Sequence, residues 1–445
     1  MIKTALGSNA RRYMNSASWL LSEQAARMVS TLLVGIIIAR HLGPEGLGQI
    51  SYAWSIVGIF GVFVSLGLEG VVIKELVHHP AQRDELLGTA FYLMLIAGLI
   101  IAVFLSGLSS LVTHSGAERW LIILAAATLP LQAAGVVSYE KQSRASLGKV
   151  TRAQLLQVVF STLLRAGLVA LGCSVVAFGA AGVADAALLA TLLLTIAIQD
   201  GLSPRKWVFK WELAKRLLKQ SWPLIFTALL VTVFVKIDQI MLRYLMDVKA
   251  VGEYAIAVRL TSVLVIIPMM VIKAVNPAII AAQKGDQALY ESRLQLLYDL
   301  GVILSVAAAL AFTFLAGPLI HLLFGPQFAG ATGVAVIFVW CSVWITVGQI
   351  NAITIIAAGR TYQTLIKALI GVVTNVILNF LLIRNYDIEG AAIATLISYI
   401  VSSYILMLLF PDQRRQFRFV SRSLIVPLSA HRVFQFANQY RQKSK

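Results

Sequence analysis

The chain has 445 residues, 59% of them hydrophobic and 13% charged, with a mean hydropathy of +0.82. Soluble proteins carry about 25% charged residues, so the composition excludes a soluble globular protein. A net charge of +17 would suggest nucleic acid for a soluble chain; here it points to loops facing an anionic membrane leaflet, and no nucleic-acid partner is expected.

The first 16 residues hold Lys3, Arg11 and Arg12 and no apolar core, so no cleavable signal peptide is expected ahead of the first span. Apolar runs of about 20 residues follow, the length that crosses a bilayer as a helix. They predict an all-α polytopic protein with twelve transmembrane helices near 17–39, 49–70, 86–112, 119–139, 152–172, 175–198, 221–245, 250–275, 294–316, 330–356, 362–384 and 389–410. Of the 37 Lys and Arg, 26 fall on the N-terminal arm, the even-numbered loops and the tail. Five fall on the odd-numbered loops and six inside spans. That asymmetry predicts cytoplasmic termini, and the even span count agrees.

The longest internal loop, 199–220, divides the spans into an N-lobe (1–198) and a C-lobe (221–410), followed by a basic tail (411–445). Within it, "RKWVFKWELAKRLLKQ" places Trp207, Trp211, Ala214 and Leu218 on one face. The segment reads either as an amphipathic helix lying on anionic lipid or as a solvated linker. Cys173 and Cys341 sit in apolar settings and are expected as unpaired thiols; no metal spacing or cofactor motif is present. His78 and His79 read as a solvated pair.

The two halves echo one another. "ARHLGPEGLGQISYA" after span 1 resembles "LRYLMDVKAVGEYAIA" after span 7, and "AALLATLL" resembles "AAIATLIS" near the last span of each half. Six spans per half imply an axis along the membrane normal and two pseudo-symmetric six-helix lobes around a central cavity.

Charges inside the spans carry the functional signal. An ionisable group at a bilayer centre costs roughly 2.5–3.5 kcal/mol on insertion scales. Arg27, Arg165, Lys236, Arg259, Lys273 and Lys367 must therefore face protein or water, or snorkel to a surface. Lys273 and Lys367 are expected to snorkel. Gln154, Ser161 and Arg165 share one sector of their helix. Glu23 lies one turn before Arg27 and can pair with it. Lys236 and Asp238 are about 200° apart on their helix and cannot pair with each other. Asp238 is expected either to pair with a base such as Arg259 or to take a coupling ion. Asp185 and Asp299 are expected near helix ends. The surplus of deep cations suits an anionic ligand, because guanidinium groups grip phosphate bidentately.

Three stretches carry a family resemblance: Val34–Phe91 ("VGIIIARHLGPEGLGQISYAW…"), Lys236–Ile280 ("KIDQIMLRYLMDVKAVGEYAIAVRL…") and Leu378–Tyr399 ("LNFLLIRNYDIEGAAIATLISY"). They resemble the bacterial polysaccharide transporter family, which includes O-antigen and exopolysaccharide flippases within a superfamily of multidrug extruders and lipid II flippases. The resemblance implies alternating-access transfer of a polyprenyl-diphosphate-linked oligosaccharide to the periplasmic leaflet, for O-antigen, capsule or exopolysaccharide. It implies that Arg27 and Arg259 bind the diphosphate, with Lys236 or Arg165 assisting. It differs from the lipid II flippases in span 2, where Tyr52 and Trp54 stand in place of a basic residue; these aromatics suit stacking on sugar rings. A polysaccharide polymerase and chain-length machinery are the expected partners, and a monomer the expected state. A drug–cation antiporter would want acids to dominate instead. A membrane glycosyltransferase or polymerase would want a DxD or other catalytic motif, which is absent from the sequence.

Overall fold

The computed structural model describes the backbone of residues 2–113, 115–202, 204–266, 268–270, 272 and 287–443, and, of these, the side chains from Ser30 to Gln435. All regular structure among the described residues is helical. The chain forms two compact units, Met1–Thr232 and Val233–Lys445, each with its own apolar core.

The first unit begins with α1, Ile2–Ser65, which is interrupted at Gly43 (φ 69°). Gly43 adopts the left-handed backbone that ends a helix, and Pro44 restarts the next segment, where its missing N–H is not needed. Then follow α2 (Leu68–His78), α3 (Arg83–Val112) and α4 (Gly116–Ala127). A 3₁₀ turn at Pro130–Gly135 leads into α5 (Val136–Ser143), α6 (Gly148–Ala170) and α7 (Val175–Gln199). The 3₁₀ turn packs against α3 at Gly98, where a Cβ would lie 2.8 Å from the Pro130 nitrogen. Only glycine permits that approach.

The loop segment read as a surface helix is packed into this unit. It forms the start of α8, Trp211–Leu245. Leu213, Ala214 and Leu217 are buried with Trp207 beside α2 and α3, while Trp211 is 60% exposed. The buried stripe is therefore offset from the expected one. Two acids and a glycine draw the segment inward. Arg216 donates to Glu75 at 3.1 Å, Lys210 pairs with Glu85 at 2.5 Å, and Gly88 leaves room for the Val208 backbone.

The second unit holds the rest of α8, then α9 (Val248–Ser262), α10 (Gln287–Phe324), α11 (Ala331–Phe338), α12 (Cys341–Ala357) and α13 (Tyr362–Ser403). Asp247 caps α9 by accepting the Ala250 N–H at 2.7 Å. Helix α13 is broken at Tyr386 and Asp387. Two further helices, α14 (Arg414–Ser423) and α15 (Val426–Lys443), form the tail.

The tail is docked. Arg432 donates to both carboxylate oxygens of Asp299 at 2.7 Å each, and Ser423 adds a bond at 2.6 Å. Asp299 lies well inside α10 rather than near its end, and it tolerates burial because the tail supplies its cation. Lys367, expected to snorkel, is buried instead. Its ammonium donates to Asn351 at 2.6 Å and to Gln413, an acceptor that the tail brings over the helix. Lys273 lies outside the described residues.

One arrangement recurs. Asp200, just after the last long helix of the first unit, takes Lys141 at 2.7 Å and Lys149. Asp412, just after the last long helix of the second, takes Arg360 and both hydrogen bonds of Gln363 at 3.2 Å. Hydrogen bonds from Lys141 and Lys149 hold the Asp200 carboxyl below the usual range.

Nine helices among the described residues are long and apolar enough to cross a membrane. Two of them, Ser30–His78 with 49 residues and Tyr362–Met407 with 46, are about twice the roughly 20 residues a crossing needs. Each contains a break, at Gly43 and at Tyr386–Asp387.

Candidate functional site

In the first unit, Arg165 of α6 faces Asp185 of α7. The guanidinium donates to the Asp185 Oδ2 at 2.5 Å and to the Ser161 hydroxyl, and Ser161 donates to the same oxygen at 3.0 Å. The stripe containing Ser161 and Arg165 thus points inward, toward an acid. Asp185 sits mid-helix, not near an end, because Arg165 neutralises it there. The other carboxylate oxygen of Asp185 is buried with no hydrogen bond among the described residues. Nearby, Ser30 and Thr162 join α1 to α6 at 2.7 Å.

The two aromatics of α1 separate, as residues two apart on a helix do. Tyr52 is 1% exposed and belongs to the packed interior, which removes it as a stacking platform. Trp54 is 36% exposed and covers α7 where that helix carries no side chain: a Cβ on Gly182 would lie 2.8 Å from the Trp54 ring. The side chains of Glu23 and Arg27 lie outside the described residues.

In the second unit, Asp238 is 2% exposed and bound by neutral groups. Its Oδ2 accepts the Tyr254 hydroxyl at 2.5 Å and the Thr395 hydroxyl at 2.7 Å; its Oδ1 accepts the Asn379 amide at 2.6 Å. Asn379 also donates to Asn375 at 3.0 Å, and Asn375 donates to Thr395 at 3.1 Å. One carboxylate thereby ties together α8, α9 and both segments of α13. The expected pairing of Asp238 with Arg259 is not what the structure shows: Asp238 is held by hydroxyl and amide donors. Arg259 instead lies within electrostatic reach of Lys236. As the helical spacing required, Lys236 and Asp238 point apart.

Asn375, Asn379, Thr395 and Tyr254 were not singled out by the sequence reading. The available signal was two asparagines one turn apart in an otherwise apolar run, which share a face.

A helical membrane fold with charged and polar clusters buried among its spans defines a transporter-like class. Residues 37–332 match the family described as "polysaccharide biosynthesis protein", and the chain belongs to that family. It is 23% identical over 371 residues to Agl15 of Haloferax volcanii, a probable low-salt glycan biosynthesis flippase, covering 82% of this chain and 76% of that protein. It is 29% identical over 189 residues to AglR of the same organism, a probable flippase. That match spans only 39% of this chain and 37% of AglR. Among solved structures, the lipid II flippase MurJ in an inward closed conformation superposes with a TM-score of 0.71 at 12% identity, over 97% of this chain and 99% of that one. An inward-facing multidrug resistance MATE transporter of the MOP superfamily superposes with a TM-score of 0.70 at 16% identity, over 89% of this chain and 95% of that one. The proteins it resembles are flippases and transporters, not enzymes.

Proposed function

We propose that this protein is a flippase for a polyprenyl-diphosphate-linked oligosaccharide, moving it from the cytoplasmic to the outer leaflet by alternating access during surface polysaccharide synthesis. Twelve spans and cytoplasmic termini are part of this reading. The observation that carries it is the match of residues 37–332 to the polysaccharide biosynthesis family. Lys236 and Arg259 are the cations of the second unit that we assign to the diphosphate, because charge-assisted hydrogen bonds from such groups are the strong ones for phosphate. The name of Agl15 supports a glycan substrate, and the name of AglR supports flipping. Arg27 is assigned to the same head group. Arg165 has its own carboxylate and serves the fold of the first unit before it serves substrate. Trp54 is the aromatic left to meet a sugar ring. Asp238, buried among neutral donors, is the group we assign to a coupling proton or sodium ion.

The test is leaflet-resolved accumulation of polyprenyl-diphosphate-linked sugar in cells carrying Lys236→Ala, Arg259→Ala or Arg27→Ala, with membrane levels of the protein confirmed. Build-up on the cytoplasmic leaflet with normal protein supports the reading. Unimpaired export in all three variants overturns it.

A further inference from the structure

The first unit contains an open pocket, mostly apolar in its lining, that the charged clusters do not explain. Its volume is about 300 Å³, at the lower end of the range for small-molecule pockets. It is lined by side chains from the 3₁₀ turn, α5, α6 and α7. None of its lining residues is Asp, Glu, Lys or Arg. Four bring hydrogen-bonding groups: Gln132, Ser138, Tyr139 and Gln154. Apolar surface faces them from α7, including Leu189 and Leu193.

The break in the helix assembles this wall. In an unbroken α-helix, Gln132 and Ser138 would stand about 120° apart. Three residues at the 3₁₀ repeat followed by three at the α repeat reduce that to about 60°. A 3₁₀ stretch inside a helix often marks a hinge or a strained sequence. Several hydroxyls elsewhere in this unit are satisfied by their own helix. Ser55, Ser106, Thr128 and Ser143 each donate to a carbonyl one turn back. Ser138 makes no hydrogen bond among the described residues, and neither do the Gln132 and Gln154 side chains. The Ser138 hydroxyl and the Gln154 amide are half-buried, which leaves water or a ligand as their partner.

We infer that this cavity is a binding subsite for an uncharged monosaccharide unit, with Gln132, Ser138 and Gln154 meeting its hydroxyl edge and Leu189 and Leu193 its C–H face. A diphosphate does not suit a cavity without a cation, and an acyl chain leaves the amides unpaired. The inference rests on the flippase reading and adds where that substrate's sugar is held.

The experiment compares two probes on the full chain in detergent: farnesyl diphosphate, and farnesyl diphosphate bearing one N-acetylglucosamine. Affinities are measured for the parent, Gln154→Leu, Ser138→Ala and the double variant. The sugar is expected to tighten binding to the parent, and each substitution to remove up to about tenfold of that gain, with affinity for bare farnesyl diphosphate unchanged. Thermal unfolding of each variant in the same detergent checks that it is folded; a misfolded leucine variant is replaced by Gln154→Ala. Equal affinity of the parent for both probes overturns the subsite, as does an unchanged sugar gain in the double variant. Binding of neither probe by the folded parent refutes the flippase reading, and the subsite with it.

Discussion

Replacing Asp238 with alanine removes the acceptor of three buried hydrogen bonds, from Tyr254, Asn379 and Thr395 at 2.5, 2.6 and 2.7 Å. An orphaned buried donor costs about 1–3 kcal/mol in soluble proteins. Interhelical bonds measured inside a membrane average about 0.6 kcal/mol. Three bonds therefore bracket the loss between about 2 and about 9 kcal/mol. The lower part of that range applies, because Thr395 and Asn379 retain Asn375 as a neighbour; the expected cost is about 3 kcal/mol. Asparagine at the same position keeps one acceptor oxygen and should lose about half as much. Unfolding of the purified chain in mixed denaturing and non-denaturing micelles reads both values. The order expected is parent, Asp238→Asn, Asp238→Ala. An alanine variant within about 0.5 kcal/mol of the parent, a difference typical of neutral surface changes, would refute the claim that this carboxylate ties three helices together.

Arg165→Ala should destabilise the first unit by leaving Asp185 without its cation, and the double variant Arg165→Ala with Asp185→Asn should recover part of the loss; absence of recovery in a double-mutant cycle rules out the pair. Arg432→Ala should expose the tail to limited proteolysis, with cleavage after Arg422 rising in the folded protein, and unchanged protection would show that the Asp299 contact does not hold the tail. The Asp200 carboxyl is held below its ordinary value, so it binds a proton less readily folded than unfolded. Its stabilising contribution is present above the unfolded value near pH 4 and is lost as pH falls through the folded one. The stability gap between the parent and Asp200→Asn should be flat near neutrality and close on acidification, and a gap that is constant into acid contradicts the Lys141 and Lys149 contacts.

Much of this was legible from local pattern alone. Run length gave a helical membrane fold, and the 200° separation of Lys236 and Asp238 excluded their pairing. The grouping of Ser161 with Arg165 gave an inward stripe. What pattern alone did not reveal were partners distant in sequence. Asp238 meets Asn379 and Thr395 from 141 and 157 positions away, and no periodicity encodes that register. The same holds for Asp299 and Arg432, 133 positions apart: α15 reads as a surface helix until its anchor is known. Helix breaks were only partly visible. Gly43–Pro44 announces itself through residue type. The break at Asp387 uses a non-glycine residue at φ 50°, ψ −138°, outside the left-handed helical region that aspartate favours, so residue type does not announce it. The 3₁₀ turn after Leu129 is marked only by Pro130.

The recurring acid after the last long helix of each unit bears on the order of events at the ribosome. Every partner of Asp200 lies upstream of it, at Lys141 and Lys149, so the contact is available before Val233, the first residue of the second unit, is made. Asp412 likewise reaches back only to Arg360 and Gln363. Each unit thus carries a fastener made from its own residues, and neither fastener waits on the other unit. Chains that fold domain by domain during synthesis benefit from such late local contacts: a half that has failed to arrange its helices leaves that aspartate and its lysines or arginine unmatched at the membrane edge, while a half that has succeeded is sealed before its successor emerges.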